Sequence, residues 1–258
     1  MSILATDAIV LHAFDYRETS RIVRLATRDA GVVSAIARGA RRPKSKFGSA
    51  FDLFTSGVAQ LAMHPTGDLH ALNAFDTTRT RPQLGASLGR FGAAEALSEV
   101  CMRFGQEDDS GRVFEAAERA LDKIGQAAPE QVAEAAMAGL WHFVAGLGFA
   151  PSLDACASCH APLDAEAPVT FHHRAGGALC PACARRAAGG RTLPAVARAT
   201  IATWLDGRDA TIADDASARA HRRLLREFLE EHVGDGRALR AFVSWEELRP
   251  APAKAAPR

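Results

Sequence analysis

Cys156-Ala157-Ser158-Cys159 and Cys180-Pro181-Ala182-Cys183 stand twenty residues apart and hold four of the five cysteines in the chain. A Cys-x-x-Cys turn aims two thiolates at one centre, and a second turn completes a tetrahedral four-sulfur set suited to zinc. Between them, Pro162 and Pro168, a strand-like Val169-Thr170-Phe171 and a Gly176-Gly177 turn read as a short hairpin joining two knuckles. We expect Cys156, Cys159, Cys180 and Cys183 to hold one structural Zn2+ in a knuckle over residues 154–186. His160, His172 and His173 lie close by but, with four thiolates present, are expected outside the ligand set. A closed four-sulfur site has no open position for a substrate water, which argues against zinc catalysis. Disulfides are disfavoured because no secretory signal is visible and cytosolic thiols stay reduced. A redox dithiol would be a single motif beside a βαβ unit.

At 258 residues the chain has room for two domains, and its 48% hydrophobic and 24% charged content is that of an ordinary globular protein. The net charge of +1 is unevenly placed: residues 1–81 carry eleven basic against seven acidic residues. Only four of the 31 basic residues are Lys, a bias that genome composition explains as well as phosphate recognition does. Residues 135–153 lack charge, but Gly139, Gly146, Gly148, His142 and Pro151 make them a poor membrane span and a better buried helix. A cytoplasmic location follows, with no membrane partner.

Six short apolar runs recur over residues 2–81: Ala8–Leu11, Ile22–Leu25, Val32–Ile36, Phe51–Phe54, Val58–Leu61 and Leu69–Leu72. Turn signals at Gly31, Pro43, Pro65-Thr66-Gly67 and Arg81-Pro82 separate them. About five strands without room for crossover helices predict a small antiparallel barrel, of oligonucleotide-binding (OB) or SH3-like type. Within it, Arg38, Arg41, Arg42, Lys44 and Lys46 put five cations into nine residues without an acid. Gly39, Pro43 and Gly48 make this a loop, and Phe47 adds an aromatic. Such a loop can track a phosphate backbone while its aromatic stacks on a base; an ordinary solvated basic turn is the alternative. Arg17 and Arg21 flank a second candidate turn, Phe14–Arg21; an equally good reading has Phe14 or Tyr16 closing the barrel core and Arg17 paired with Glu18 or Asp15.

From Pro82 the pattern turns helical, with expected helices over 83–104, 111–125 and from Pro129 to about Leu147, then near 194–206 and 215–233. Ser110 is a plausible cap for the second. Glu95, Glu99, Glu115 and Glu118 read as solvated helix faces. In the last helix Leu224, Leu225, Phe228, Leu229 and Val233 share a face, with Arg222, Arg223 and Arg226 on others. A basic rim beside an apolar groove would suit an acidic, hydrophobic peptide tail. Residues 250–258, rich in Pro and Ala, read as a disordered tail. No phosphate loop, nucleophile elbow or HExxH is present, so no catalytic residue is assigned.

The order of these features resembles a known family. The blocks Ala8–Leu11, Tyr16–Arg21, Ala37–Ser45, Gly146–Asp154 and Gly176–Cys180 are similar to the RecO family of bacterial DNA repair proteins, over residues 2 to about 245. That resemblance implies an α+β chain: an N-terminal OB-fold β-barrel (1–81), then an α-helical domain (82–249) with an inserted four-cysteine zinc knuckle. It implies a non-enzymatic recombination mediator that binds single- and double-stranded DNA and anneals complementary strands. With RecR, such a protein helps load RecA onto DNA coated by single-strand binding protein (SSB). The family motif carries the basic loop as a DNA contact, and the metal reads as a fold staple. The alternative is a zinc-ribbon scaffold whose ligand is protein, distinguished by its lack of salt-dependent DNA binding.

Overall fold

The computed structural model describes residues 2–48, 50–65, 67–105, 111–233 and 237–248. Five strands come first: β1 (Ser2–Tyr16), β2 (Ser20–Thr27), β3 (Gly31–Ala37), β4 (Ser56–Met63) and β5 (Leu69–Arg79). They close into a barrel in the order β1-β2-β3-β5-β4, antiparallel throughout except for β3 beside β5. This is the OB arrangement. Strand alternation sorts the side chains: Ala8, Val10, Val23, Leu25, Ala35 and Leu61 fill the barrel. Ile9, Leu11, Ala26 and Val32 are buried with the helices instead. A register shift between Val10 and His12 marks a bulge in β1.

The run Phe51–Phe54 is not a strand. Phe51 enters the barrel core while Phe54 joins the helical core, and the segment that carries them folds as turns. Phe54 takes φ 67° and donates its N–H to the Val10 carbonyl at 2.8 Å, which fixes the last of those turns against β1.

The helical region opens with a 3-10 turn at Pro82–Ala86, followed by α1 (Leu88–Phe104), α2 (Arg112–Gln126) and α3 (Val132–Gly146). The single helix expected over 83–104 is divided by extended Ser87, whose hydroxyl accepts from the Arg90 N–H at 3.3 Å and caps α1. The uncharged stretch after residue 135 begins inside α3, where Trp141 and Val144 are buried. There Gly139 lets α2 approach closely: a Cβ would stand 2.7 Å from that of Ala120. Among the described residues no helix is long and apolar enough to cross a membrane.

Next come β6 (Val169–His172), β7 (Gly177–Leu179), the single-turn α4 (Pro181–Ala184) and β8 (Arg191–Leu193), with β6 central in the small sheet. Helices α5 (Ala195–Leu205), α6 (Asp215–Val233) and α7 (Arg240–Glu247) complete the fold. The sequence pattern did not anticipate α7. Its first N–H groups, on Arg240, Ala241 and Phe242, donate to the Glu99 carboxylate at 2.9, 2.9 and 3.2 Å. Glu99 is therefore a cap for a distant helix and not a solvated face. The expected cap Ser110, the Val233 side chain and the expected tail 250–258 lie outside the described residues.

The barrel's outward residues and the helices pack into one cluster. Val32 donates its N–H to the Gly105 carbonyl at 2.7 Å, and Arg28 bridges Asp7 (3.1 Å) to Glu115 (2.9 Å) over the Phe114 ring.

Candidate nucleic-acid interface and metal centre

Beyond β3 the chain runs through successive turns that carry Arg38, Arg41, Arg42, Lys44 and Lys46 at the surface. Gly39 takes φ 73°, a left-handed conformation that glycine adopts without strain, and its carbonyl accepts from the Arg42 N–H at 3.1 Å. Ser45 receives two more N–H groups: its carbonyl that of Gly48 at 3.4 Å, its hydroxyl that of Phe47 at 3.2 Å. The loop is also anchored from beneath. Phe47 is 4% exposed, and its ring lies 5.0 Å from that of Phe51 inside the barrel. This corrects the expectation that Phe47 stacks on a base: its ring closes the barrel, with the Lys46 ammonium 5.3 Å from its centre.

Sideways, the loop is fastened to the β1–β2 turn. Arg41 donates its backbone N–H to the Thr19 carbonyl at 3.0 Å, and its Nε lies 3.3 Å from the Asp15 carboxylate. The other Asp15 oxygen meets Arg21 Nε at 3.1 Å. The two sequence candidates thus form one continuous surface. Arg17 sits at its tip with φ 53° and its guanidinium 5.2 Å from the Tyr16 ring. Among the described residues, Arg21 and Arg41 share one carboxylate, while Arg17, Arg38, Arg42, Lys44 and Lys46 have none within 4.0 Å. The cluster keeps a strong net positive charge.

The four cysteines converge as the spacing predicts. Their Sγ atoms lie within 4.8 Å of one another, and those of Cys159 and Cys180 are 3.8 Å apart. A tetrahedron with Zn–S bonds of about 2.3 Å has an S···S edge of roughly 3.8 Å, so the donor set fits a zinc-sized ion. Cys156 is buried, and the Cys180 N–H donates to its sulfur at 3.3 Å. Burial raises the Cys156 pKa, but backbone N–H groups of Cys180, Cys159 and Ser158 outweigh it and hold the thiol down to about 6. Around it, Cys183 is pushed up to about 12 by the neighbouring sulfurs of Cys159 and Cys180. Four thiols this close cannot all ionise unless a cation shares their charge. The knuckle is positioned by Gly177, at φ 151°, where a Cβ would stand 2.2 Å from the Ser152 carbonyl oxygen. That oxygen accepts the Ala178 N–H at 2.8 Å, so the segments around Ser152 and Gly177 lie edge to edge.

Two family models match this chain: Recombination protein O N terminal over residues 1–81 and Recombination protein O C terminal over residues 86–240. The chain belongs to the RecO family. Relatives named DNA repair protein RecO include one from Anaeromyxobacter sp. (strain K), 36% identical over 94% of this chain and 95% of its own length. Another, from Rubrobacter xylanophilus, is 30% identical over 90% of this chain and 92% of its own length. DNA repair is therefore the work of this RecO-family chain in broad terms.

The helical half of this RecO fold holds a feature that sequence reasoning missed. Glu227 on α6 accepts from Arg191 at 2.7 and 2.6 Å and from Arg223 at 2.9 Å, and its carboxylate faces His173 at 3.2 Å. It ties β8 and the β6–β7 turn to α6. Burial raises the Glu227 pKa, but the bonds from Arg191 and Arg223 outweigh it and bring it to about 2. Burial lowers the His173 pKa despite Glu227 beside it. The expected basic rim is correspondingly smaller than the arginine count suggested. Arg222 is buried under Trp245, 5.2 Å from its ring, and Arg226 is held by Glu246 (2.7 Å) and Glu230 (2.8 Å). Arg191, Arg219 and Arg223 do border a groove of about 400 Å³ with Leu224 and Glu246.

Proposed function

We propose that this chain is a recombination mediator that binds single- and double-stranded DNA through its barrel and anneals complementary strands. With RecR it helps load RecA onto single strands coated by SSB, in the cytoplasm. One observation carries the DNA contact: Arg17, Arg38, Arg42, Lys44 and Lys46, without carboxylate partners among the described residues, are gathered on one loop-and-turn surface with Arg21 and Arg41. Cations so arranged release counterions when they meet phosphates, and five such contacts cost roughly two decades of affinity between 50 and 200 mM salt. In this reading Cys156, Cys159, Cys180 and Cys183 hold a structural Zn2+ that supplies fold stability to the knuckle and no chemistry. The arginine-bordered groove on α6 supports docking of SSB's acidic tail on the helical region. RecR, and RecA indirectly, rest on family membership alone.

The test is fluorescence anisotropy of a labelled single-stranded oligonucleotide at 50 and 200 mM salt. The wild type should bind tightly at low salt and weaken by about a hundredfold at high salt. A folded R41A/R42A/K44A variant should bind clearly more weakly at low salt and lose about 2 from the salt slope, roughly 0.7 for each contact removed. Wild-type affinity in that variant would remove the loop from the site. No wild-type binding even at 50 mM would favour the protein-scaffold alternative.

A further inference from the structure

The loop carries charge but, with Phe47 buried, no available aromatic. The outer face of the barrel beside it does. Past the β1 bulge, His12 pairs with Arg24 and Arg24 with Ser34, while Phe14 pairs with Ile22 and Ile22 with Ile36. Direct cross-strand partners share a sheet face, so these six side chains form two adjacent rows across β1, β2 and β3. They lie on the same outer face as Ile9, Ala26 and Val32, which the helices cover, but one and two rows further along the strands. Phe14 is 44% exposed, His12 is exposed as well, and Ile22 and Ile36 are half-buried. An exposed aromatic continued by two half-exposed isoleucines is an apolar surface that a monomer has no internal reason to keep.

Three features make single-stranded nucleic acid the occupant. The rings of His12 and Phe14 are 5.9 Å apart and tilted by 38°, a pair of neighbouring flat surfaces on one face. Beside them Arg24 has its Nε without a hydrogen-bond partner, and burial lowers its pKa, so an incoming anion would satisfy it. Finally, the row of Phe14 leads directly, through Asp15 and Tyr16, into the turn that fastens the basic loop.

We propose that His12 and Phe14 form a base-stacking platform for single-stranded DNA, with Arg24 taking a backbone phosphate. This rests on the nucleic-acid reading of the basic loop and adds discrimination to it, because bases stacked within a duplex cannot reach a flat ring while phosphates of either form can meet the loop.

The experiment compares F14L, which keeps an apolar side chain and loses the ring, with F14W, which restores one, using labelled oligo-dT and a duplex of equal length. F14L should bind oligo-dT about tenfold or more weakly, the scale of a lost base–aromatic stack. Its salt slope, duplex affinity and thermal midpoint should be unchanged, and F14W should recover binding. R24Q should instead reduce the salt slope by about 0.7, one single-strand phosphate contact. If F14L binds oligo-dT like the wild type while R41A/R42A/K44A loses affinity, the platform is wrong and the loop reading stands. Equal loss on single strand and duplex would also overturn the stacking role. A flat wild-type curve at low salt would end both.

Discussion

Arg81 Nε donates to Asp122 Oδ1 at 2.7 Å from a guanidinium that has no solvent exposure at all. Its Nη1 reaches back to the Phe54 carbonyl at 2.7 Å and the Ser56 hydroxyl at 2.8 Å, so one side chain binds a barrel turn, β4 and α2 together. Removing one partner from a buried ion pair strands the other and costs about 3–5 kcal/mol. Arg81→Ala should therefore lower the unfolding free energy by that amount in a urea titration, with barrel and helices still melting in one transition. A change below about 1 kcal/mol, the range of an exposed pair, would show that this arginine does not join the two parts.

Asp15 holds Arg21 and Arg41 with an exposed carboxylate, which under the proposed DNA contact competes with a backbone phosphate for the two guanidiniums. Pairs of this exposure contribute about 0–1 kcal/mol, so an incoming backbone can displace the carboxylate. Asp15→Asn removes the competitor and leaves the Arg41 backbone bond to Thr19 in place. Single-stranded DNA should bind about three- to tenfold more tightly at low ionic strength, the gain fading as salt screens it. Weaker binding by the variant would instead make Asp15 a strut that the site needs.

Acid should loosen the knuckle from α6. The Glu227 carboxyl is held near 2 in the folded chain, below the ordinary value of 4.5. A depressed folded pKa adds stability that is complete above the unfolded value and is lost as pH falls from about 4.5 towards 2. Glu227→Gln should cost about 1–2 kcal/mol at pH 7 after allowance for screening. It should also flatten the wild-type decline below pH 4.5. Parallel pH–stability curves for the two proteins would refute the assignment.

Metal analysis should find about one zinc per chain, lost on Cys159→Ser or treatment with a strong chelator. Hydrogen exchange should then show faster exchange around Ser152, Gly177 and β6–β8, with the barrel amides still protected, because the small sheet packs on the helices through Val169, Phe171, Ala178 and Leu193 and contributes nothing to the barrel interior. Uniform loss of protection through the barrel would mean that the metal stabilises the whole chain.

The parts legible in the sequence were those whose determinants are local. Paired Cys-x-x-Cys turns are a short-range signal, and apolar runs such as Ala8–Leu11 between turn residues reveal strands. Helix α7 was not legible because it is eight residues long and its cap, Glu99, lies 141 residues before Arg240. The same holds for Phe51–Phe54, where four residues serve two cores that exist only after barrel and helices have met. Phe47 misled for a related reason: an aromatic beside cations looks like a stacking residue until the barrel that swallows it is known. Phe14 read equally well as a barrel-core residue, since its exposure depends on how far along the barrel's outer face the helices reach.

The barrel residues Ile9, Leu11, Ala26, Val32 and Phe54 belong to the same packed cluster as the helical tryptophans. Close-packed interiors do not flex like linkers. A partner seated on the helices would thus be carried at a set distance and angle from whatever lies across the barrel, and turning one would turn the other. The molecule is built as a bracket, not as two beads on a string.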